Sequence, residues 1–336
     1  MPDYGARVAD QAIAETARQL RKVYRQAAKD LREKLAEFTA RHLAKDAEKR
    51  ALLEAGKITK AEYESWLRGQ VFIRKQWKEK IEQASRIMDN ANQAAAKIVR
   101  ANKFGVFAEN YNYAAYELEK LAHGSLGFNL FSSDSVARLL TQDPKMLPEW
   151  KIDQKKDYAW NRKKVEGAIN QGIIQGEGIR EITDRLVDNL CTQNENKMRT
   201  FARTGITGAQ NAGRIQQMHD AEELGIKVKK RWVATLDNRT RDTHADLDGQ
   251  TIPVDEPFEV TDDDGMHYEI MYPGDPMADA CMVYNCRCTM IQIYEGIDRT
   301  SVRRAYEDED DSGHRKSYLV ENMTYREWQK WKKGQR

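Results

Sequence analysis

A chain of 336 residues that is 40% hydrophobic and 32% charged can bury a core in two or three domains, yet no run approaches the roughly 18 apolar residues of a membrane span. Four cysteines are too few for a disulfide framework at this size. Met1-Pro2-Asp3-Tyr4 also lacks the charged-then-apolar plan of a secretory signal, so a reducing cytoplasm is the expected compartment. The net charge of +2 hides a split: residues 1–100 carry 22 Lys/Arg against 14 Asp/Glu, and residues 226–296 carry 7 against 14. Such a split reads either as a solvated helical surface or as contact with something anionic at the basic end.

Residues 6–55 read as one long helix, because Val8, Ile13, Ala17, Leu20, Tyr24, Ala28, Leu31, Leu35 and Phe38 recur mostly every three or four residues. Gly56 ends it, and Thr59-Lys60-Ala61-Glu62 is a capping box that opens the next helix. That second helix carries Tyr63, Trp66, Leu67, Phe72, Ile73, Trp77, Ile81, Ile87 and Ile98. The stripe is either a helix-packing face or a groove for a partner, and the two helices make a long α-hairpin.

From Gly105 to Tyr158 the periodicity loosens. Gly124, Gly127, Pro144 and Pro148 act as breakers, and Ser133 or Asp134 is placed to cap a short helix through Leu140. Helical spacing returns over 157–190, turning at Gly176-Glu177-Gly178, and a last helix runs from about Asn194 to Leu224. Gly205, Gly208 and Gly213 each cost that helix up to ~1 kcal/mol. Such a cost is expected where another backbone comes close. Gly225 then stops it.

Beyond Gly225 the pattern changes to strand. A strand-like segment over 227–233 leads to a turn and short helix over 237–247 and to a hairpin signal at Asp248-Gly249. Short strands follow near 251–254, 258–260, 267–271 and 289–294. Glu307-Asp308-Glu309-Asp310-Asp311 reads as a disordered linker, followed by a short helix bearing Trp328 and Trp331. The expected architecture is therefore a mainly α N-terminal region with a long helical hairpin, followed by a small α+β C-terminal module. Its divisions are a long-helix partner arm over 1–125, a helical domain over 126–225, the module over 226–296, and a charged linker and tail over 297–336.

The module holds the residues with chemistry to offer. Cys286 and Cys288, with Cys281 and His244, have the donor types of a Cys3His zinc site. The same cysteines also read as buried structural thiols, or as a disulfide between Cys281 and one of the other two. Asp242, His244, Asp246 and Asp248 crowd acid/base groups into seven positions. One reading makes His244 a general base and Asp242 a metal ligand in a hydrolytic site. The other has Asp237, Asn238 and Thr240 capping a turn while Arg239 and Arg241 form ion pairs. No Walker loop, GxSxG or HExxH is present. On either reading, the 237–244 segment and the Cys286-Arg287-Cys288 stretch should meet in space.

Taken as a series, Arg203-Thr204, Asn211, Gly225, Trp232, Asp237-x-Arg239-Thr240-Arg241-x-x-His244, Leu247-Asp248-Gly249-Gln250, Phe258, Tyr272-Pro273-Gly274-Asp275-Pro276 and Asn285-Cys286-Arg287-Cys288 resembles the phage Mu protein F-like family. Those are minor head, or head morphogenesis, proteins of tailed bacteriophages. The resemblance covers roughly residues 195–295, and where the family usually has an acidic residue after Arg-Thr this chain has Gly205. It implies a protein of few copies in the capsid interior near the portal, made in the host cytoplasm, that assists head assembly, DNA packaging or DNA delivery. Its implied partners are the portal protein, with nonspecific contact to packaged double-stranded DNA and with scaffold or major capsid protein as further candidates, and no membrane. It supplies no catalytic residues; the motif residues Arg203, Trp232, Asp237, Arg239, Arg241, His244, Asp248, Gly249, Cys286, Arg287 and Cys288 are expected to be structural. A metal-dependent nuclease delivered with the genome is the alternative, although the stretch after Tyr294 leaves little room for an appended toxin domain.

Overall fold

A computed structural model describes residues 4–71, 74–147, 154–175, 179–295, 303–306, 317–321 and 323–334. The helices are α1 (Tyr4–Glu54), α2 (Lys60–Val71), α3 (Arg74–Leu121), α4 (Ser133–Gln142), α5 (Gln154–Gln175) and α6 (Ile179–Glu223). They are followed by β1 (Val228–Val233), α7 (Asp242–Leu247), β2 (Thr251–Pro253), β3 (Phe258–Thr261), β4 (His267–Ile270), α8 (Ala280–Val283) and β5 (Thr289–Tyr294). Last come β6 (Arg303–Tyr306), β7 (Ser317–Val320) and α9 (Tyr325–Gly334). This is the expected mainly helical chain with a small α+β module at its C-terminal end. Among the positions named above, Phe72, Ile73, Pro148 and 176–178, the side chains of Phe38 and Trp77, and the acidic run 307–311 lie outside the described residues.

Two compact units divide the chain, and neither is a single run of sequence: one joins Met1–Ala17, Val99–Trp150 and Thr200–Arg336, the other Arg18–Ile98 and Lys151–Arg199. In the second unit Leu20, Tyr24, Ala27, Leu31 and Leu35 of α1 are buried, as are Met88 of α3 and Ile182, Leu186 and Leu190 of α6. A chain of buried and half-buried polar groups threads this apolar packing. The Tyr24 hydroxyl donates to Asn92 Oδ1 (2.6 Å), Asn92 donates to Asn194 Oδ1 (2.9 Å), and Asn194 donates to Asn161 Oδ1 (3.0 Å). Each step satisfies a group that would otherwise be costly to bury. Burial also pushes the Tyr24 hydroxyl far above its ordinary pKa. The capping box forms as expected: Thr59 N–H donates to Glu62 Oε2 (2.7 Å), and Glu62 N–H donates to Thr59 Oγ1 (3.2 Å).

Three expectations about the helices are corrected. Helix α3 continues through Gly105 to Leu121, because Val106, Phe107, Tyr111, Ala114, Ala115 and Leu118 bury one face, and that packing outweighs the cost of a helical glycine. The helical stretch ending near 190 and the helix expected from about Asn194 are one continuous helix, α6. Helix α4 is capped by Ser132, one residue before the expected Ser133 or Asp134, in a reciprocal pair with Ser135. Gly225 ends α6 as expected: at φ 79° it lets its own N–H reach Glu222 O (2.8 Å) and Ile226 N–H reach Ala221 O (3.0 Å).

Strand β1 is the centre of an antiparallel sheet ordered β2-β1-β5, while β3–β4 and β6–β7 are separate hairpins. In the sheet Val228, Lys230 and Trp232 pair with Tyr294, Gln292 and Met290, and all six are buried. Asp248-Gly249 is not the loop of a two-residue hairpin. It is the exit from α7, where Gly249 at φ 87° returns the chain so that its N–H meets Trp232 O (3.0 Å). The expected tail is also no tail where it is described: Ala305, Val320, Tyr325 and Trp328 join Trp232, Leu236, Leu247 and Phe258 in one apolar core.

Candidate functional site

The segment leading into β5 is pinned from two sides. Asn285 takes the left-handed conformation at φ 57°, which asparagine tolerates better than most residues, and its N–H donates to Thr204 Oγ1 on α6 (3.0 Å). One turn on, Thr207 Oγ1 donates to the Cys286 carbonyl (3.1 Å). From the other side Thr235 Oγ1 donates to Arg287 O (2.6 Å), and the Arg241 guanidinium donates to Tyr284 O. One backbone group of each of four consecutive residues, 284–287, is thereby held by α6 or by the turn after β1.

Arg287 forks onto Asp237, with Nη2 3.1 Å from Oδ1 and Nη1 in a shorter bond to Oδ2. The Asp237 carboxylate is fully buried and also accepts the Arg239 N–H (2.9 Å), so its charge is shared among several donors. Beside it His244 Nδ1 stands 3.6 Å from Cys286 Sγ and 3.5 Å from Cys288 Sγ, all three residues buried. The imidazole sits edge-on to Trp232 (centroids 5.2 Å), which in turn meets Phe258 at 5.2 Å. The Cys286 thiol is held below its usual pKa, first by the hydrogen bond from Cys288 and further by Arg241 and Arg287, and the Cys288 thiol is pushed well up by the same hydrogen bond and by burial. The 237–244 segment and the Cys286-Arg287-Cys288 stretch therefore do meet.

Other candidates fall elsewhere. Cys281 is exposed and is not among the side chains that converge on His244. The Asp242 carboxylate is 80% exposed and 3.6 Å from Arg326 Nη1, and Asp246 pairs with the same guanidinium at 2.7 Å. Neither faces the buried His244, so the acid/base cluster of the sequence does not assemble as one site. Asp248 is instead a buried anchor: it accepts the Ala234 N–H (2.7 Å) and the Tyr325 N–H (2.6 Å), and pairs with Arg303 at 2.7 Å.

A second set fastens the module to α6. Asn211 Nδ2 donates to Pro273 O (2.9 Å), while its Oδ1 accepts Met290 N–H (3.1 Å). Other backbone does come close at two of the helical glycines. A Cβ on Gly208 would lie 2.5 Å from Gly274 O, and one on Gly213 would lie 2.4 Å from Phe107 O. Gly274 itself, at φ 83°, has no room for a side chain against Gly208. At Gly205 the neighbour is a side chain, with Lys103 Cδ 3.2 Å from a Cβ there, so the stem of Lys103 covers the position where the family's acid would point. Arg203 is half-buried on the same helix.

Three residues here escaped sequence reasoning. Arg214, buried on α6, donates to Asn110 Oδ1 (3.1 Å), Thr289 Oγ1 (3.0 Å) and Met290 O (2.6 Å). Lys230, buried on β1, donates to Met271 O (2.9 Å) and lies over the Phe258 ring at 5.2 Å. Burial lowers its pKa from 10.5 to about 8. Arg303 is the partner of Asp248. A charged residue at an inward strand or helix position was the only signal available for any of them.

Residues 163–291 match the family described as phage Mu protein F like protein, a span that contains Asn211, the Asp237–Arg287 fork and the His244, Cys286 and Cys288 cluster. The "Minor head protein GP7" of Bacillus phage SPP1 is 32% identical over 240 residues, covering 68% of this chain and 70% of GP7. "NAD(+)--arginine ADP-ribosyltransferase EFV" of Enterococcus faecalis is 29% identical over 184 residues, 54% of this chain but only 36% of that protein. An "Uncharacterized protein" of Haemophilus influenzae is 30% identical over 132 residues, 39% of this chain and 25% of its own length. No solved structure matches. The chain belongs to the phage Mu protein F-like family.

Proposed function

We propose that the protein is a minor head protein of a tailed phage, present in few copies inside the capsid, where it binds the portal and assists head assembly, DNA packaging or DNA delivery. The observation that carries this reading is the 32% identity to the minor head protein of SPP1 across 70% of that protein. The chemistry of the site supports it. The motif residues Asp237, Arg241, Asp248, Asn211 and Thr204, with Thr207 beside them, spend their hydrogen-bonding capacity on holding the module together and on holding it to α6. Part of the same stretch of sequence occurs in a protein named as an ADP-ribosyltransferase, of which it makes up 36%. That distribution fits a carrier module joined to different partners better than it fits a shared reaction.

The partner surface, on this reading, is the basic run of α1 and α3, where Lys22, Arg25, Lys45, Lys78 and Lys97 are exposed. Contact with packaged DNA is through phosphates and nonspecific, so it weakens steeply with salt. Coexpression with the portal protein of the same phage tests the reading. The wild-type chain copurifies with portal, and the triple variant Lys22→Glu, Arg25→Glu, Lys45→Glu loses at least about tenfold of that association while keeping its helical content. Copurification of the wild-type chain with scaffold or major capsid protein, but not with portal, would contradict the portal assignment.

A further inference from the structure

We propose that His244, Cys286 and Cys288 form a zinc site inside the C-terminal module. A single imidazole nitrogen can accept one hydrogen bond, yet Nδ1 of His244 stands almost equally far from two sulfurs, 3.6 Å and 3.5 Å. Those separations are the edges of a coordination tetrahedron. With zinc about 2.3 Å from sulfur and about 2.0–2.1 Å from nitrogen, a tetrahedral angle sets the ligand atoms about 3.6 Å apart. The three donor atoms all lie within 4.8 Å of one another, and all three residues are buried.

The surroundings are built for ligation. The Cys286 and Cys288 backbone is fixed by the left-handed turn at Asn285 and by donors from Thr204, Thr207 and Thr235, so the thiols are positioned before any ion arrives. Binding releases the two thiol protons to solvent, and two thiolates with one divalent cation bury no net charge. Among the described residues no fourth His, Cys, Asp or Glu joins the group. The site sits in the core that joins Trp232 and Phe258 to Tyr325 and Trp328. An ion there cross-links α7 to the segment before β5, about forty residues on, which is the kind of staple a small module gains most from.

The test is metal analysis of the full chain purified in reducing buffer without chelator. About one zinc per chain is expected, with less than about a tenth of that in His244→Ala and Cys286→Ser and full occupancy in Cys281→Ser. Cobalt(II) replacing the zinc should show thiolate-to-cobalt charge-transfer absorption in the wild-type chain and in Cys281→Ser. If the ligand variants do not fold, the wild-type chain still decides: removing zinc with a chelator should lower Tm, and adding zinc back should restore it. A wild-type chain that stays metal-free after zinc loading, with Tm unmoved, overturns the site. So does a Cys286–Cys288 disulfide found in unreduced peptides, or a cobalt band that survives both Cys286→Ser and Cys288→Ser.

Discussion

Asp237 has no exposed side-chain surface, and its charge is balanced by Arg287, which keeps 20% of its own side-chain surface in solvent. Removing one member of such a pair strands the other, and that costs more than the pair itself contributes. Arg287→Ala should therefore lower unfolding free energy by about 2–4 kcal/mol, somewhat below a fully buried case because Arg287 is partly solvated. Chemical denaturation of the two proteins checks this, and a loss under about 1 kcal/mol would mean the fork carries little. Lys230 makes stability depend on pH. Its folded pKa of about 8 lies below the ordinary 10.5, so between those values the unfolded chain binds more protons than the folded one. Stability then rises with pH in that window, by at most about 1.4 kcal/mol per unit, and below about pH 8 the full cost of burying the ammonium is felt. Tm of the wild-type chain should gain on that of Lys230→Met as pH rises from about 8 to about 10. A constant difference would contradict the burial assigned to Lys230. That the 237–244 and 286–288 segments meet was legible, because both are crowded with donors and acceptors that need partners. Which arginine takes which carboxylate was not, since Arg239, Arg241 and Arg287 offer the same fork and only the fold chooses.

At the scale of elements, the helical glycines make the clearest contrast. Gly167 on α5 has nothing within 4 Å of the place a methyl would occupy, whereas at Gly213 on α6 a methyl would stand 2.4 Å from the Phe107 carbonyl. Gly167→Ala should stabilise by up to about 1 kcal/mol, as in any open helix. Gly213→Ala should destabilise by roughly 1–3 kcal/mol, because α3 must be pushed off α6. Thermal melts of the pair check both signs, and a Gly213→Ala protein as stable as the parent would contradict the close packing. Glycine spacing made this approach readable in sequence, and the Thr59/Glu62 box and the strands β3 to β5 were readable for a similar reason: their signals are local. The loosening read from Gly105 onward misled, because the packing of Phe107 and Tyr111 that keeps α3 going comes from elsewhere in the chain. Sequence reasoning missed the β6–β7 hairpin, and Arg303 finds its partner Asp248 55 positions away.

For the whole molecule, the two compact units cut across the linear divisions expected from the sequence. The module is not a separate bead after residue 225. Helix α6 from Thr200 onward, helix α3 from Val99 onward and the first turns of α1 belong to the same unit as the strands. Arg214, reaching Asn110 on one side and Met290 on the other, shows how the helices and the sheet share one set of contacts. A protein built this way presents a rigid module to an assembly, and the proposed role requires that assembly to be a phage head. Quantitative mass spectrometry of purified particles from the phage that encodes the chain tests this most directly. The expected result is the intact protein in every particle preparation, at about the portal's copy number or below and far under the major capsid protein. Particles that are complete and infectious without it, while the protein stays in the lysate, would contradict the proposed role.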